Sequence, residues 1–360
     1  MEAIAADKPA VAVPRADMRG AHWVKPELVA EVAFAEFTAD GVVRHGSFLG
    51  LRSDKKAAEV VPERPQPAPP PPAADGIKIS NPDRMLWPEA SITKGELVEY
   101  YRTVGPLMAV WTANRPLSLV RCPQGRAKKC FFQKHNTGTF GPHVHQIEIE
   151  EKKGEIEDYV YVEDVAGIVA CVQMGTIEFH GWGSRTADIE KPDRLVFDID
   201  PDEGLDFAEV KRAARDIHRY LADMGLQSFP LTTGGKGLHV VVPLTPEAEW
   251  PEVKDFAQRF CVALATAEPE RFTANLAKAR RKGRMFLDYL RNQRGATAIM
   301  PYSARARDNA PVSAPVSWDE LEDLKGGNIY TVRDAALLIE RGSGHALQGW
   351  GEATQTLPDL

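Results

Sequence analysis

From Val61 to Pro72 the chain carries Pro62, Pro65, Pro67 and the unbroken run Pro69 to Pro72. Such a segment favours extended polyproline II, has few backbone N–H groups to offer a helix or sheet, and cannot pack a core. It reads as a connector, and it divides the 360 residues unequally. The part before it is too short for a full domain, whereas the part after it is long enough to bury a sizeable core.

The first part has strand-like segments, Leu28 to Phe34 and Val42-Val43-Arg44, separated by a turn at Asp40-Gly41. Beyond the connector, helices and strands mix. Thr93 followed by Glu96 has capping-box spacing and opens a helix over Thr93 to Arg102. Asp206 to Met224 places Phe207, Val210, Ala214, Ile217 and Leu221 on one stripe, with Gly225 as its stop. Strands are expected at Tyr159–Val162, Arg194–Asp200, Leu238–Val242 and Met285–Leu290. This alternation, without a fixed-period repeat, predicts an α/β (α+β) domain.

No stretch has the roughly 18 apolar residues that a membrane span requires, and the first 20 residues lack a signal-peptide run, so a cytoplasmic protein is expected. Cys122, Cys130, Cys171 and Cys261 form no C-x-x-C pair. They suggest neither a disulfide framework nor a zinc site and read as reduced, mostly buried small hydrophobes. The net charge of −7 disfavours a polyanionic partner on average, but from Arg271 to Arg307 the one acid is Asp288. That stretch suits phosphate binding, or else a solvated helix face around Lys278 to Arg284.

Chemistry concentrates at Asp198-Ile199-Asp200, which ends an apolar strand. Alternate strand residues share a face, so two carboxylates converge there, and their repulsion is relieved by protonation or by a divalent cation. Phosphoryl-transfer enzymes use such pairs to hold two metals about 3.5–4 Å apart. The alternative is a strand end that caps the next helix. Asp198, Asp200, Asp202, Leu205 and Glu209 also match EF-hand ligand spacing, but Glu203 stands where that loop needs glycine and a strand precedes it. Asp288 lies mid-strand among large apolar residues, where an acid needs a metal or an arginine such as Arg284, Arg291 or Arg294. Thr232 to His239 is a glycine-rich turn into a strand, able to bring backbone N–H groups, Thr233 and Lys236 to a phosphate, or else an ordinary β-turn. It is not a Walker A loop. His180, in Glu178-Phe179-His180-Gly181-Trp182, reads as a satisfied structural histidine ahead of a ligand contact. Phe131-Phe132 beside Lys128, Lys129 and Lys134 fits a base-stacking platform or a buried strand pair.

Five motifs stand in order: Asn81-Pro82-Asp83-Arg84, Phe131-Phe132-Gln133-Lys134-His135, Phe197-Asp198-Ile199-Asp200-Pro201, Thr233-Gly234-Gly235-Lys236-Gly237-Leu238-His239 and Asp288-Tyr289-Leu290-Arg291-Asn292. Together they resemble the polymerase domain of bacterial ATP-dependent DNA ligase D, a branch of the archaeo-eukaryotic primase superfamily, over Gly76 to about Arg341. Trp23-Val24-Lys25-Pro26 and the Arg44 to Lys55 stretch resemble the last part of a ligase OB-fold. The resemblance implies a primase-polymerase-type mixed β-sheet core with flanking helices at 76–345. A short partial OB-fold-like segment at 1–60, a proline-rich linker at 61–75 and a tail at 346–360 complete the expected organisation.

It further implies two Mn²⁺ or Mg²⁺ ions on Asp198, Asp200 and Asp288, and an incoming NTP or dNTP held by His180, Thr233, Lys236, His239 and Arg305. Phe131 and Phe132 would stack near the templating base, Arg121 and Arg281 would lie near DNA, and Arg84 and Lys94 would form a pocket for a downstream 5′-phosphate. Threonine at 233 and arginine at 84 replace the family's usual serine and lysine.

The expected function is primer- and template-directed gap filling and end extension in non-homologous end joining, by a two-metal mechanism, with manganese preferred and ribonucleotides favoured. Partners would be DNA ends and gaps, Ku and a ligase polypeptide, with no membrane and a nucleoid-associated location. No counterpart of the ligase K-x-D-G lysine is present, so nick sealing by this chain is not expected. The alternatives are a primase that starts chains de novo and a non-catalytic DNA end-binding module.

Overall fold

In the computed structural model the described residues are 4–11, 13, 18, 20–33, 36–37, 43–44, 47–52, 76–151, 153–344, 347–352 and 354–358. The chain divides into two compact units, Met1–Pro72 and Ala73–Leu360. In the first, Val29–Ala33 pairs antiparallel with Ser47–Arg52, and Glu36–Phe37 with Val43–Arg44. The expected turn at Asp40-Gly41 and the proline-rich linker lie outside the described residues.

The second unit has α1 (Lys94–Thr112), β1 (Leu117–Arg121), β2 (Phe131–Gln133), a hairpin of β3 (His145–Glu150) and β4 (Ile156–Tyr161), α2 (Val165–Gln173) and β5 (Thr176–Trp182). Then come β6 (Arg194–Pro201), α3 (Phe207–Asp223), β7 (Phe229–Thr232), β8 (Leu238–Pro243), α4 (Trp250–Ala267), β9 (Phe272–Thr273), β10 (Met285–Asp288), β11 (Thr297–Ile299), β12 (Ala314–Pro315) and α5 (Ala335–Gly342). Two sheets organise them: a six-stranded one in the order β9-β10-β6-β8-β7-β12 and a four-stranded antiparallel one in the order β2-β1-β5-β11. In the larger sheet β9 and β10 run parallel and the other pairs antiparallel. The mixed sheets with flanking helices are the α/β (α+β) class expected. Among the described residues no helix is long and apolar enough to cross a membrane.

Strand alternation decides where chemistry can sit. On β6, Leu195, Phe197 and Ile199 are buried in the core that also holds Val210, Ile217 and Leu221 of α3 and Val253, Phe256 and Phe260 of α4. Val196, Asp198 and Asp200 therefore face the other way. The expected α3 stripe is the buried one, with Asp206 as N-cap accepting from Glu209 N. Thr93 closes a capping box with Glu96, and α1 continues past Arg102, through Pro106, to Thr112.

Two expectations change. Strand β10 ends at Asp288 and turns into a 3₁₀ segment at Leu290–Asn292, so Asp288 is a strand terminus rather than mid-strand. Its Oδ1 accepts from Leu290 N (2.8 Å), which stabilises the turn. Cys122 and Cys130 are joined by a disulfide with Cα atoms 4.4 Å apart, while Cys171 and Cys261 are free and buried. The cause is register: Phe131 pairs with Arg121, so the residues flanking that pair fall opposite each other. Sequence separation conceals this, because only the β1–β2 pairing sets it.

The two sheets are joined near the fully buried Arg115. Its guanidinium donates to both oxygens of Asp193 (2.9 and 2.7 Å), to Trp182 O and Ser184 O, and through Nε to Trp111 O. One side chain thus links the end of α1, the end of β5 and the entry to β6. Arg115→Met should lower unfolding free energy by about 3–5 kcal/mol, because Asp193 would lose its bidentate partner in the interior. Chemical denaturation checks this, and a loss below about 1 kcal/mol would refute the linking role.

Candidate active site

The outward face of β6 meets two neighbours. Asp198 is paired directly opposite Asp288 on β10 and opposite His239 on β8. Asp200 lies two residues on, on the same face. The acids are held differently. Asp198 is buried, which alone would raise its carboxyl, but His239 and Arg291 hold it down at about 2. His239 Nε2 lies 3.4 Å from its Oδ1, and Arg291 Nε donates to its Oδ2 (3.0 Å). Asp200 and Asp288 are both pushed above the usual carboxylate range, first by partial desolvation, with the negative charge of Asp198 adding to it.

Among the described residues no group of three or more His, Cys, Asp or Glu side chains is drawn together as a metal cage. The donors nevertheless suit a hard divalent cation: Asp198 and Asp288 are register partners and Asp200 shares the face of Asp198, with Asp200 and Asp288 destabilised by partial desolvation and neighbouring negative charge. Arg291, which also lies 3.6 Å from Asp288 Oδ2, is the cation that shares them.

Facing the acids is the glycine-rich turn between β7 and β8. Gly234 adopts φ +66°, a conformation in which glycine is favoured, and its N–H donates to Gly327 O (2.9 Å). Gly237 runs so close to β6 that a Cβ would sit 2.3 Å from Ile199 O. Thr233 Oγ1 donates to Gly237 O (3.1 Å), and Arg305 Nη1 to Thr233 O (2.7 Å). On β5, His180 donates through Nε2 to Glu178 Oε2 (2.8 Å), with Arg305 Nε 3.1 Å from the same oxygen. Burial lowers the His180 pKa. A cavity of about 210 Å³ results, lined by His180, Asp198, Asp200, Thr233, Lys236, His239 and Arg305, and also by Arg291 and Arg307. All five residues expected at the nucleotide thus line it, with two of the three acids.

Residues 93–345 match the family described as LigD, primase-polymerase domain. The chain belongs to the LigD primase-polymerase family. Residues 1–55 match the ATP dependent DNA ligase C terminal region. The chain is 40% identical over 340 residues to the multifunctional non-homologous end joining protein LigD of Pseudomonas aeruginosa, covering 90% of this chain and 40% of that protein. It is 26% identical over 319 residues to the bifunctional non-homologous end joining protein LigD of Bacillus subtilis, covering 87% of this chain and 50% of that one. It therefore spans two fifths to one half of these relatives. A solved structure, the polymerase domain from Mycobacterium tuberculosis Ligase D in complex with DNA, matches with a TM-score of 0.72 and 30% identity over 78% of this chain and 99% of that one. LigD primase-polymerase membership implies metal-dependent nucleotide chemistry.

The remaining residues expected from the LigD resemblance lie outside the cavity lining. Phe132 is 74% exposed and Phe131 40%, so they are not a buried strand pair, and the Phe132 ring lies 6.1 Å from that of His180. Arg121 is buried beneath them, donating to Met174 O and Gln133 Oε1 and stacking on Phe131. Arg281 lies over the Phe286 ring and its charge reaches Asp200. Lys94 is buried, with Nζ donating to Ser80 O, Gln173 O and Gln173 Oε1, while Arg84 is exposed and donates to Pro123 O. Burial, then the charge of Arg84, lowers the Lys94 pKa to about 8.

Sequence reasoning gave Glu178 no role, and it placed Arg291 and Arg307 only within the basic stretch Arg271 to Arg307, with Arg291 also as a salt-bridge partner for Asp288. The parity of β5, which puts residues 178 and 180 on one face, was the available signal for Glu178. Because Gly237 has no room for a side chain against Ile199 O, Gly237→Ala should push the turn off β6. A loss of about 1–3 kcal/mol in stability is expected, together with loss of nucleotide binding. Thermal denaturation and calorimetric titration check both, and unchanged binding would contradict the close approach.

Proposed function

We propose that this chain is a DNA-end nucleotidyltransferase that extends a primer strand across gaps and ends in non-homologous end joining, using NTP or dNTP. The observation that carries the reading is the cavity in which Asp198 and Asp200 face Thr233, Lys236, His239 and Arg305, with Asp288 paired beside them. The reaction joins a primer 3′-oxygen to the nucleotide α-phosphorus, breaks the bond to the β-phosphate oxygen, and releases pyrophosphate and the hydroxyl proton. Asp198, Asp200 and Asp288 would hold two Mn²⁺ or Mg²⁺ ions. Bound there, these ions would lower the hydroxyl pKa and offset charge on the phosphates.

The chain's own groups do the rest. Lys236 and Arg307 are exposed cations at the cavity, and with Arg305 they neutralise the triphosphate and leaving group. His180, His239 and Thr233 orient it. Phe131 and Phe132 offer exposed faces to the templating base, and Arg121 holds Phe131 from below. Arg281 meets the DNA backbone. The presence of all three acids supports catalysis over a passive end-binding module. By analogy with the relatives, we assign 1–60 to a partial ligase OB-fold, 61–75 to a linker, 76–345 to the polymerase and 346–360 to a tail. We likewise place the chain beside Ku and a ligase polypeptide at DNA ends in the nucleoid, with manganese and ribonucleotides preferred.

Asp198→Ala, Asp200→Ala and Asp288→Ala should each lower primer extension by at least about 10²–10³-fold, as loss of transition-state charge stabilisation does. Extension of a labelled primer-template with Mn²⁺ or Mg²⁺ measures this, and near-normal extension by any of the three would remove the metal assignment.

The gap-directed part of the reading rests on Arg84 and Lys94. Arg84 is exposed to meet a downstream 5′-phosphate, while Lys94 charges the site from beneath the Ser80–Arg84 turn. Filling of gapped DNA should be faster with a 5′-phosphate than a 5′-hydroxyl, and Lys94→Ala, alone or with Arg84→Ala, should erase the difference. Because the Lys94 pKa is lowered to about 8, its charge is present below that value and lost above it. The 5′-phosphate advantage should therefore decline as pH rises from 7 to 9, about the range that brackets a single titration. Gap-filling rates on paired substrates across that range test it, and equal rates on both substrates at pH 7 would defeat it.

A further inference from the structure

One acid behind the residues that line the cavity has no part in the proposed reaction. Glu178 is buried on β5, yet its carboxyl is held down to about 2: burial would raise it, but the bond from His180, the charge of Arg305 and the N–H of Ala306 prevail. Oε2 accepts from His180 Nε2 (2.8 Å) and forms an ion pair with Arg305 Nε (3.1 Å), while Oε1 accepts from Ala306 N (2.8 Å). Arg305 then continues to Thr233 O on the glycine-rich turn. One carboxylate thus ties β5 to the segment around residue 305 and, through it, to the turn between β7 and β8.

We propose that Glu178 is the positioning residue of the triphosphate end of the cavity, holding the His180 ring and the Arg305 guanidinium in fixed relation so that the two act as one unit. Three physical points support this. His180 with Nε2–H directed at Glu178 has one ring orientation, which leaves Nδ1 as the nitrogen free of that bond. Arg305 has a long stem whose rotamers are restricted by holding Glu178 and Thr233 at once. The cavity also lines up Lys236, Arg291, Arg305 and Arg307, and a buried anion offsets the repulsion that would otherwise spread them. Glu178 itself does not line the cavity, so it acts through its partners. The inference rests on the cavity being the nucleotide site.

The test uses the full chain. Nucleotide affinity is read by calorimetry with ATP, and steady-state primer extension supplies KM and kcat. Glu178→Gln keeps the size and an acceptor for Ala306 N–H but removes the charge. It should raise the nucleotide Kd and KM about tenfold or more while changing kcat by less than about threefold, the split expected when ground-state binding is lost. In an Arg305→Ala background, Glu178→Gln should add less than about twofold, because residues acting as one unit are not additive. Glu178→Asp, which keeps the charge on a shorter stem, should fall between wild type and Glu178→Gln, and it serves as the probe if the glutamine variant does not fold.

Full additivity of Glu178→Gln with Arg305→Ala, or a loss confined to kcat, would overturn the proposal. So would unchanged affinity in Glu178→Gln where His180→Ala and Arg305→Ala each weaken binding, and the cavity assignment would then stand. If neither of those two weakens ATP binding, the cavity assignment falls and this inference falls with it.

Discussion

Like charge gathered on one face of β6 and β10 is the constraint around which this domain is arranged. Asp198 and Asp288 are direct partners across an antiparallel pair, with Asp200 beside them. Acids opposite one another in a sheet are destabilising. The opposite face of β6 carries Leu195, Phe197 and Ile199 into the core with α3 and α4, and that burial keeps the strand in a register that its charges alone would oppose. Nitrogen-bearing side chains then come to Asp198 from outside the strand: Arg291 from the turn after β10 and His239 from β8.

The same logic explains the close approach of the glycine-rich turn. A phosphate-binding loop is useful beside the acids only if its backbone can come near the strand that bears them, and at Gly237 the space against Ile199 O admits no side chain. Backbone held in this way needs support from behind. Gly327 O accepts from Gly234 N, and Arg305 bonds to Thr233 O. Charges proposed to bind the nucleotide and charges that build the cavity are therefore partly the same residues, which makes the site sensitive to substitutions outside its lining.

Cations in and beyond the cavity divide into two kinds. Arg121 and Lys94 are buried and satisfied by backbone and amide oxygens, whereas Arg84 and Lys236 are exposed. A buried cation shapes the surface above it and lends its charge, while an exposed one can exchange water for phosphate. Residue type alone does not separate them.

Much was legible in the residues. The amphipathic stripe of α3 and the capping box of α1 are local patterns, set by side chains within a few positions of each other. The convergence of Asp198 and Asp200 follows from the two-residue period of a strand, which needs no partner to operate. What only the tertiary structure decided is everything that depends on register between distant segments. Strand pairing put Asp288 opposite Asp198, and it brought Cys130 opposite Cys122 where reduced thiols were expected. The meeting of Glu178, His180 and Arg305 likewise depends on β5 and the segment after β11 lying side by side. Periodicity along one strand is a property of the chain itself, whereas the partner that faces a given residue is chosen by the packing of the whole domain.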